Sequence, residues 1–329
     1  MPLVMKFSWA DCTRTTEGTL IQRAIERAKG DKRVTDHMPY VVGEKIYAEY
    51  TTEGIRKALN IAPRTRRVQE NGVDKERVIY RELRVITSER LEPLFQLCGQ
   101  DFISAWFQCK EVHYLNWLND IHHKDPSATN LMYRLRPDES IEAVLNDWDL
   151  GIDARELQTH LGFEVTGTIP FMAIDLLTPQ AMRGEVRHLY RHDLEAMIWV
   201  FVWIMCCYDE GKQRTVPEEV AEWTAQDPKA ARGGKRSFPD SFSQSVAAPS
   251  WAVEYPLANL LVDHMADSLR ERAKAINVSR RTVGAQVQPD EPDESRKAWK
   301  EHWALVKSMC ADDNSKLHYM KKLLPKYDY

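Results

Sequence analysis

His123-Lys-Asp-Pro-Ser-Ala-Thr-Asn130, followed further on by Asp147-Trp-Asp149, gathers chemistry-bearing side chains into two short strings. Upstream, Phe102, Ala105, Trp106, Cys109, Val112 and Trp117 recur near three-and-four spacing, which predicts an amphipathic helix over Asp101 to Ile121. Downstream, Asn130 to Leu135 and Ile141 to Leu145 read as short strands. Arg136-Pro-Asp-Glu-Ser140 between them has the Pro and Asp of a turn, so the pair forms a hairpin. The first acid therefore lies between a helix and a hairpin, and the second pair of acids follows that hairpin.

Further out, Leu3 to Trp9 reads as a strand, and Glu17 to Lys29 has the apolar spacing and the Ala, Arg and Glu content of a helix. Residues 30–80 are charged and rich in turn formers, with strand-like stretches at Tyr40 to Val42 and Val78 to Ile86. After the hairpin come a loop with Gly162 and Gly167 and a helix over Asp193 to Tyr208. That helix is apolar on every face and belongs at the centre of a packed lobe. Residues 210–250 carry Gly, Pro, Ser and Lys and read as loops around one short helix near Glu218 to Thr224. Helical signal returns at Tyr255 to Ala275 and Arg296 to Met309, with the polar, Pro-containing Asn277 to Glu294 as a linker between them.

With 43% hydrophobic and 29% charged side chains over 329 residues, the chain has apolar material for a large core, which excludes a disordered or fibrous protein. The formal charge of -4 leaves no basic footprint for nucleic acid as a main partner, and Arg64 to Arg67 reads as solvated loop charge. Six cysteines without a Cys-x-x-Cys pair, and a start lacking the apolar run of a secretory signal, predict a reduced intracellular protein, cytoplasmic or nuclear. The longest apolar run, Ala196 to Tyr208, falls short of the ~20 residues that cross a bilayer, so no membrane partner is expected.

Taken alone, His-Lys-Asp arises by chance. Asp-Trp-Asp fits equally the Asp-x-Asp of a nucleotide-sugar transferase or two carboxylates on a turn. In order, they match a protein kinase, whose catalytic loop reads His-Arg-Asp, four residues, Asn, with the metal-binding Asp after the next hairpin. Phosphoryl transfer needs that convergence: one acid accepts or orients the substrate hydroxyl proton, and hard oxygen ligands hold Mg²⁺ on the nucleotide phosphates. Other strings resemble the fungal-type protein kinase family. They are Val4-Met-Lys-Phe-Ser-Trp9 with Glu17-Gly-Thr-Leu20, His122 to Asn130, Leu145-Asn-Asp-Trp-Asp-Leu150, Gly167-Thr-Ile-Pro-Phe-Met-Ala173 and Tyr190-Arg-His-Asp-Leu-Glu195. The last two are the most specific, and the resemblance runs from about Val4 to Ala266.

The resemblance implies an α+β, two-lobed protein-kinase-like fold. The N-lobe, 1–90, is expected to be incomplete because it begins at the Lys strand; 91–275 would be a mainly helical C-lobe, and 276–329 a polar linker with a helical extension. It also implies an ATP- and Mg²⁺-dependent transferase acting on Ser or Thr hydroxyls of a protein substrate. By the same resemblance Lys6 would hold the nucleotide α- and β-phosphates and pair with Glu17, Asp125 would be the catalytic-loop acid with Lys124 beside it, and Asn130 and Asp147 would be the metal ligands. Ala173-Ile-Asp175 would close the activation segment, Asp193 would head the buried helix and brace the catalytic loop, and Trp223 and Lys235 would pack. The hinge that holds adenine would fall in Arg84 to Arg90.

Three features depart from the pattern. Lys124 stands where the loop has Arg and offers a point charge in place of a planar fork. Pro126 replaces an apolar Ile or Leu, and no Gly-x-Gly-x-x-Gly loop precedes Lys6. They leave open a pseudokinase, a scaffold module that has lost turnover. The Gly167 to Ala173 string disfavours a small-molecule kinase of the aminoglycoside or choline type. His113, His160, His188 and His192 lack metal spacing and read as core or surface residues, Cys206 and Cys207 as packing, and Ser127 and Thr129 show no base and orienter that would make a nucleophile.

Overall fold

In the computed structural model, which describes residues 2–70, 73–156, 167–245, 255–281, 294–311 and 321, the chain starts as β1 (Leu3–Asp11) and turns into α1 (Glu17–Ala28). The Thr16 hydroxyl accepts the Thr19 N–H at the helix start, and Lys29 ends the helix in a left-handed conformation at φ 50°. Leu20, Ile21, Ala24 and Ala28 make its buried face. There follow α2 (Lys32–Thr35), β2 (Val41–Thr51), α3 (Thr52–Ala58), the hairpin β3 (Thr65–Glu70) and β4 (Val73–Val78), and β5 (Arg81–Glu89). β5 lies between β1 and β2, antiparallel to both, with Lys6 opposite Ile86.

This first lobe departs from its sequence reading in three places. β2 extends far beyond Val42 because none of its eleven residues is buried, so it carries no alternation of apolar and polar side chains to read. The single strand expected over Val78 to Ile86 is two: Val78 ends β4 and Arg81 begins β5. Arg64 to Arg67 is not all loop, since β3 begins at Thr65.

Arg90 and Leu91 cross to β6 (Glu92–Pro93), so most of the expected Arg84 to Arg90 hinge is strand β5. The second lobe is built of α4 (Gly99–Leu118), β7 (Ile121–His122), β8 (Leu131–Leu135), β9 (Ile141–Leu145), β10 (Ile152–Asp153), α5 (Pro179–Met182) and α6 (Tyr190–Cys207). It continues through β11 (Tyr208–Asp209), β12 (Lys212–Gln213), α7 (Glu218–Trp223), α8 (Pro228–Ser245), α9 (Tyr255–Arg281) and α10 (Glu294–Ala311). The expected hairpin β8–β9 forms, with Leu131 opposite Leu145 and β6 along the other edge of β8. The architecture is the two-lobed mixture of strands and helices expected, with a strand-rich first lobe and a mainly helical second.

α6 is the axis of the second lobe: every residue but Arg191 and Trp203 is buried. Phe201 stacks on Phe102 of α4 at 5.3 Å, and the Trp106 indole N–H donates to the Met197 carbonyl at 3.0 Å. α6 begins at Tyr190, three residues before Asp193, and the Leu189 N–H at its start is taken by His192 Nδ1 at 3.1 Å. Asp193 therefore does not head the helix. α4 is not amphipathic either, for Lys110, His113 and Asn116 are buried along with its apolar stripe. α6 packs over one side of it and α10 over another, burying a face whose polar residues had suggested solvent. Ile121 belongs to β7 rather than to this helix.

Residues 210–250 are more helical than their Gly and Pro suggest. α8 runs through Gly233, Gly234 and Pro239 and starts at Pro228, with Asp227 accepting the Ala230 N–H at 2.8 Å. Gly234 is where α8 crosses α7: a Cβ there would lie 2.7 Å from the Glu222 carbonyl carbon and the Trp223 nitrogen, both backbone atoms. α9 continues to Arg281, past the expected Ala275, and residues 282–293 of the expected linker lie outside the described residues. No described helix is long and apolar enough to cross a membrane, and all six cysteines are unpaired.

Gly234→Ala isolates the crossing. Helix propensity alone would favour Ala by ~1 kcal/mol, whereas the backbone clash should outweigh it and destabilise by ~1–3 kcal/mol. Urea unfolding of the two proteins decides, and an unchanged or raised midpoint would refute the close crossing.

Candidate active site

Lys6 reaches from β1 toward the first turn of α1 and the chain leaving β9. Its Nζ lies 2.9 Å from Glu17 Oε2, 2.6 Å from Asp147 Oδ1 and 2.7 Å from Asp149 Oδ2. Burial disfavours the lysine's charge, but the three carboxylates outweigh it and hold the ammonium above its ordinary pKa. Glu17 is the buried member. Desolvation, reinforced by Asp149 and Asp147, raises its carboxyl to about 7 against the pull of Lys6. Its other oxygen accepts the Trp148 N–H at 3.0 Å, which ties Asp147-Trp-Asp149 to α1. Asp147 itself has φ 62°, a left-handed conformation uncommon outside glycine, so its carboxylate is aimed by a strained backbone.

Asp125 belongs to a second group. Its Oδ1 accepts the Thr168 N–H at 2.7 Å and the Thr168 hydroxyl at 2.9 Å, and the Asn130 amide donates to its Oδ2 at 3.3 Å and its carbonyl at 2.9 Å. Burial raises its carboxyl to about 6, opposed by the two Thr168 bonds and assisted by Asp147 and Asp193. Gly167, at φ 144°, lets the chain pass close: a Cβ there would stand 3.1 Å from Met172 Cγ and 3.6 Å from Asp125 Oδ1. His123 is wedged under the loop as one tautomer, donating from Nε2 to the Asn146 carbonyl at 2.9 Å and accepting the Asp125 N–H at Nδ1. Burial lowers it to about 4, so it stays neutral.

The structure thus gathers Lys6, Glu17 and Asp147 around one ammonium, and Asp125 and Asn130 around one loop. Residues 2–205 match the family described as fungal protein kinase. The chain belongs to the fungal protein kinase family. That match ends within α6, so α7 to α10 lie beyond it. Among solved structures, that of vaccinia related kinase 3 is similar at 11% sequence identity and a TM-score of 0.47, covering 93% of this chain and 80% of that one. No curated protein sequence matches significantly. In a kinase-family chain, an ammonium among carboxylates could meet phosphate oxygens, and Glu17, Asp147 and Asp149, with ligand atoms within 4.8 Å of one another, could hold a cation.

Sequence reasoning overlooked Thr168, Asp149 and the surroundings of Asp193. Thr168 and Asp149 stood inside quoted strings, and nothing local marks which side chain each would meet. Lys124 contributes its backbone: at φ 68°, its N–H donates to Asp193 Oδ2 at 3.2 Å. The same oxygen lies 2.9 Å from His113 Nε2, and Asp193 Oδ1 lies 2.5 Å from His188 Nε2. The expected brace on the loop is present, and His113 and His188, read from the sequence as core or surface residues, complete it. His160 lies outside the described residues. Glu195 accepts the Ile174 N–H at 2.8 Å, and Asp175 lies 3.8 Å from Arg272 of α9, so Ala173-Ile-Asp175 is fastened from two helices.

Burial pushes the Asp193 carboxyl up, but His188, His113 and their hydrogen bonds prevail and hold it well below the ordinary carboxylate range. Asp193→Ala, by leaving these partners unpaired in the core, should cost ~3–5 kcal/mol of stability, read from the urea midpoint. Because the folded value is depressed, the carboxylate's contribution is complete above about pH 4 and is lost as pH falls through the folded value. Asp193→Asn should therefore show a weaker acid loss of stability than wild type.

Proposed function

We propose that this chain is a protein kinase that moves the γ-phosphoryl group of ATP onto a Ser or Thr hydroxyl of a protein. The meeting of Lys6 with Glu17 and Asp147 across the two lobes supports this reading best, with Asp125 held separately by Thr168 and Asn130. The donor set suits Mg²⁺: hard carboxylate oxygens converge, and one ammonium leaves them with excess negative charge. Asp147 and the carbonyl oxygen of Asn130 would be its ligands. Bound Mg²⁺ would offset the charge of the phosphates.

Lys6 would exchange a carboxylate for the nucleotide's phosphate oxygens while keeping Glu17, whose hold on the Trp148 N–H keeps the acids in register. Asp125 has one oxygen occupied by both Thr168 donors; Oδ2, which accepts a longer 3.3 Å bond from the Asn130 amide, would take the proton of the incoming hydroxyl as its O–P bond forms and the bond to ADP breaks. Lys124 would set the approach to Asp125 through its strained backbone. A second reading, a scaffold that binds without turnover, is favoured by the 2.7 Å contact of Asp149, which competes with phosphate for Lys6.

Under the kinase reading, Asp125→Asn should lower single-turnover transfer from labelled ATP to a generic basic protein by ~10²–10⁴ and leave Mg·ATP binding near wild type. Asp147→Asn should weaken both. Equal rates for wild type and Asp125→Asn would leave the scaffold. Separately, ATP should raise the melting temperature only with Mg²⁺ present, and equal shifts without it would sink the assignment of Asn130 and Asp147.

A further inference from the structure

Lys235 was assigned to packing, yet a lysine is a costly residue to pack. It is fully buried on α8, its Nζ 4.9 Å from the Trp199 ring and 5.7 Å from that of Trp223. An apolar side chain of similar length would fill the same space without desolvating an ammonium. What such a side chain could not do is donate a hydrogen bond. Lys235 Nζ donates to the Met172 carbonyl at 2.5 Å. Two residues on, the Ile174 N–H is taken by Glu195 of α6, which also accepts the Trp199 indole N–H at 3.2 Å. Helices α6 and α8 thus clamp one short length of chain by its backbone.

That length is the far end of the turn that serves Asp125. The Phe171 and Met172 N–H groups donate to the Thr168 carbonyl at 2.8 and 3.1 Å, closing the turn, and Thr168 gives both its donors to Asp125 Oδ1. Met172 Cγ also lies against the Cα of Gly167, where a Cβ would come within 3.1 Å. Displacement of the Met172 carbonyl therefore passes to Thr168 through hydrogen-bonded backbone. Gly234, next to Lys235, permits the close approach of α7 and α8 that puts the Trp223 ring 5.7 Å from Lys235 Nζ.

We propose that Lys235 is a positioning residue of the phosphoryl-transfer site: by holding the Met172 carbonyl it fixes the 168–172 turn that presents two hydrogen-bond donors to Asp125. The proposal rests on the kinase reading of Asp125. It assigns Lys235 no contact with nucleotide or substrate, and it separates the Asp125 half of the site, which depends on α8, from the Lys6 half, which does not.

Lys235→Met keeps length and apolar volume while deleting the donor. It should lower transfer by ~10–10²-fold, the scale for misplacing a catalytic group by about 1 Å, with the KM for Mg·ATP unchanged. Thr168→Val should lower transfer too, and the double variant should be no slower than the slower single, because both act through one turn. Trp223→Phe, which alters the same packing without touching Met172, should retain transfer. Independently of activity, Lys235→Met should speed hydrogen exchange of the Thr168 and Met172 amides ~10-fold or more while α6 amides keep their protection. Unchanged exchange at Thr168, or losses that multiply in the double variant, would overturn the proposal. Faster Thr168 exchange in a protein whose wild type transfers nothing would uphold the clamp and remove the kinase reading.

Discussion

A single carboxylate buried in an apolar helix holds the second lobe to its site. Asp193 sits in the first turn of α6, 1% exposed, where desolvation alone would leave it protonated. It stays charged because His113 from α4, His188 from the chain before α6 and the Lys124 N–H from the loop converge on it. Three parts of the chain are thereby joined at one point in a medium where an unmet charge is expensive. The strained φ of Lys124 is held by that bond, and Asp125 is the next residue. The direction of Asp125 is thus inherited from the helix at the centre of the core.

The Lys6 cluster has the opposite character. One ammonium faces three carboxylates, and Lys6, Asp147 and Asp149 are 33%, 36% and 26% open to solvent, with Glu17 alone of the four buried. Charge at Asp193 is hydrogen-bonded and sealed, whereas charge at Lys6 is in excess and reachable. Sealed pairs fix geometry; reachable ones exchange partners as ions and phosphates arrive.

Apolar packing carries this arrangement outward. α10 lays Trp299, Trp303, Val306 and Cys310 into the core, beyond the residues that match the family. Lys110 of α4 ends among the rings of Trp106, Phe107, Trp299 and Trp303 at 4.3–5.7 Å, where burial lowers its pKa well below the ordinary lysine value and its amino group meets His302 Nε2. α4 is therefore buried on faces that polar residues occupy, and the loop after it is held from behind.

Local order was legible wherever one residue's neighbours in sequence are also its neighbours in space. The strand at Leu3, the helix at Glu17, the hairpin after Asn130 and the apolar helix before Tyr208 all declare themselves by period and turn chemistry. So does the sequence of acid, amide and acid that resembles a kinase. β2 was not legible because nothing in it is buried. α8 was obscured because Gly234, which argues against a helix locally, is required by a backbone 2.7 Å away on α7. Thr168, Asp149 and Lys235 gained their partners only by folding: Lys235 and Met172 are 63 residues apart, and Asp125 and Thr168 are 43. By itself the sequence determined the strand at Leu3, the helix at Glu17, the hairpin after Asn130 and the apolar helix before Tyr208, because period and spacing act over a few residues. Tertiary structure alone decided which carboxylate is sealed, which is shared and which is aimed, because those depend on desolvation and on partners that only the packed core brings within 3 Å.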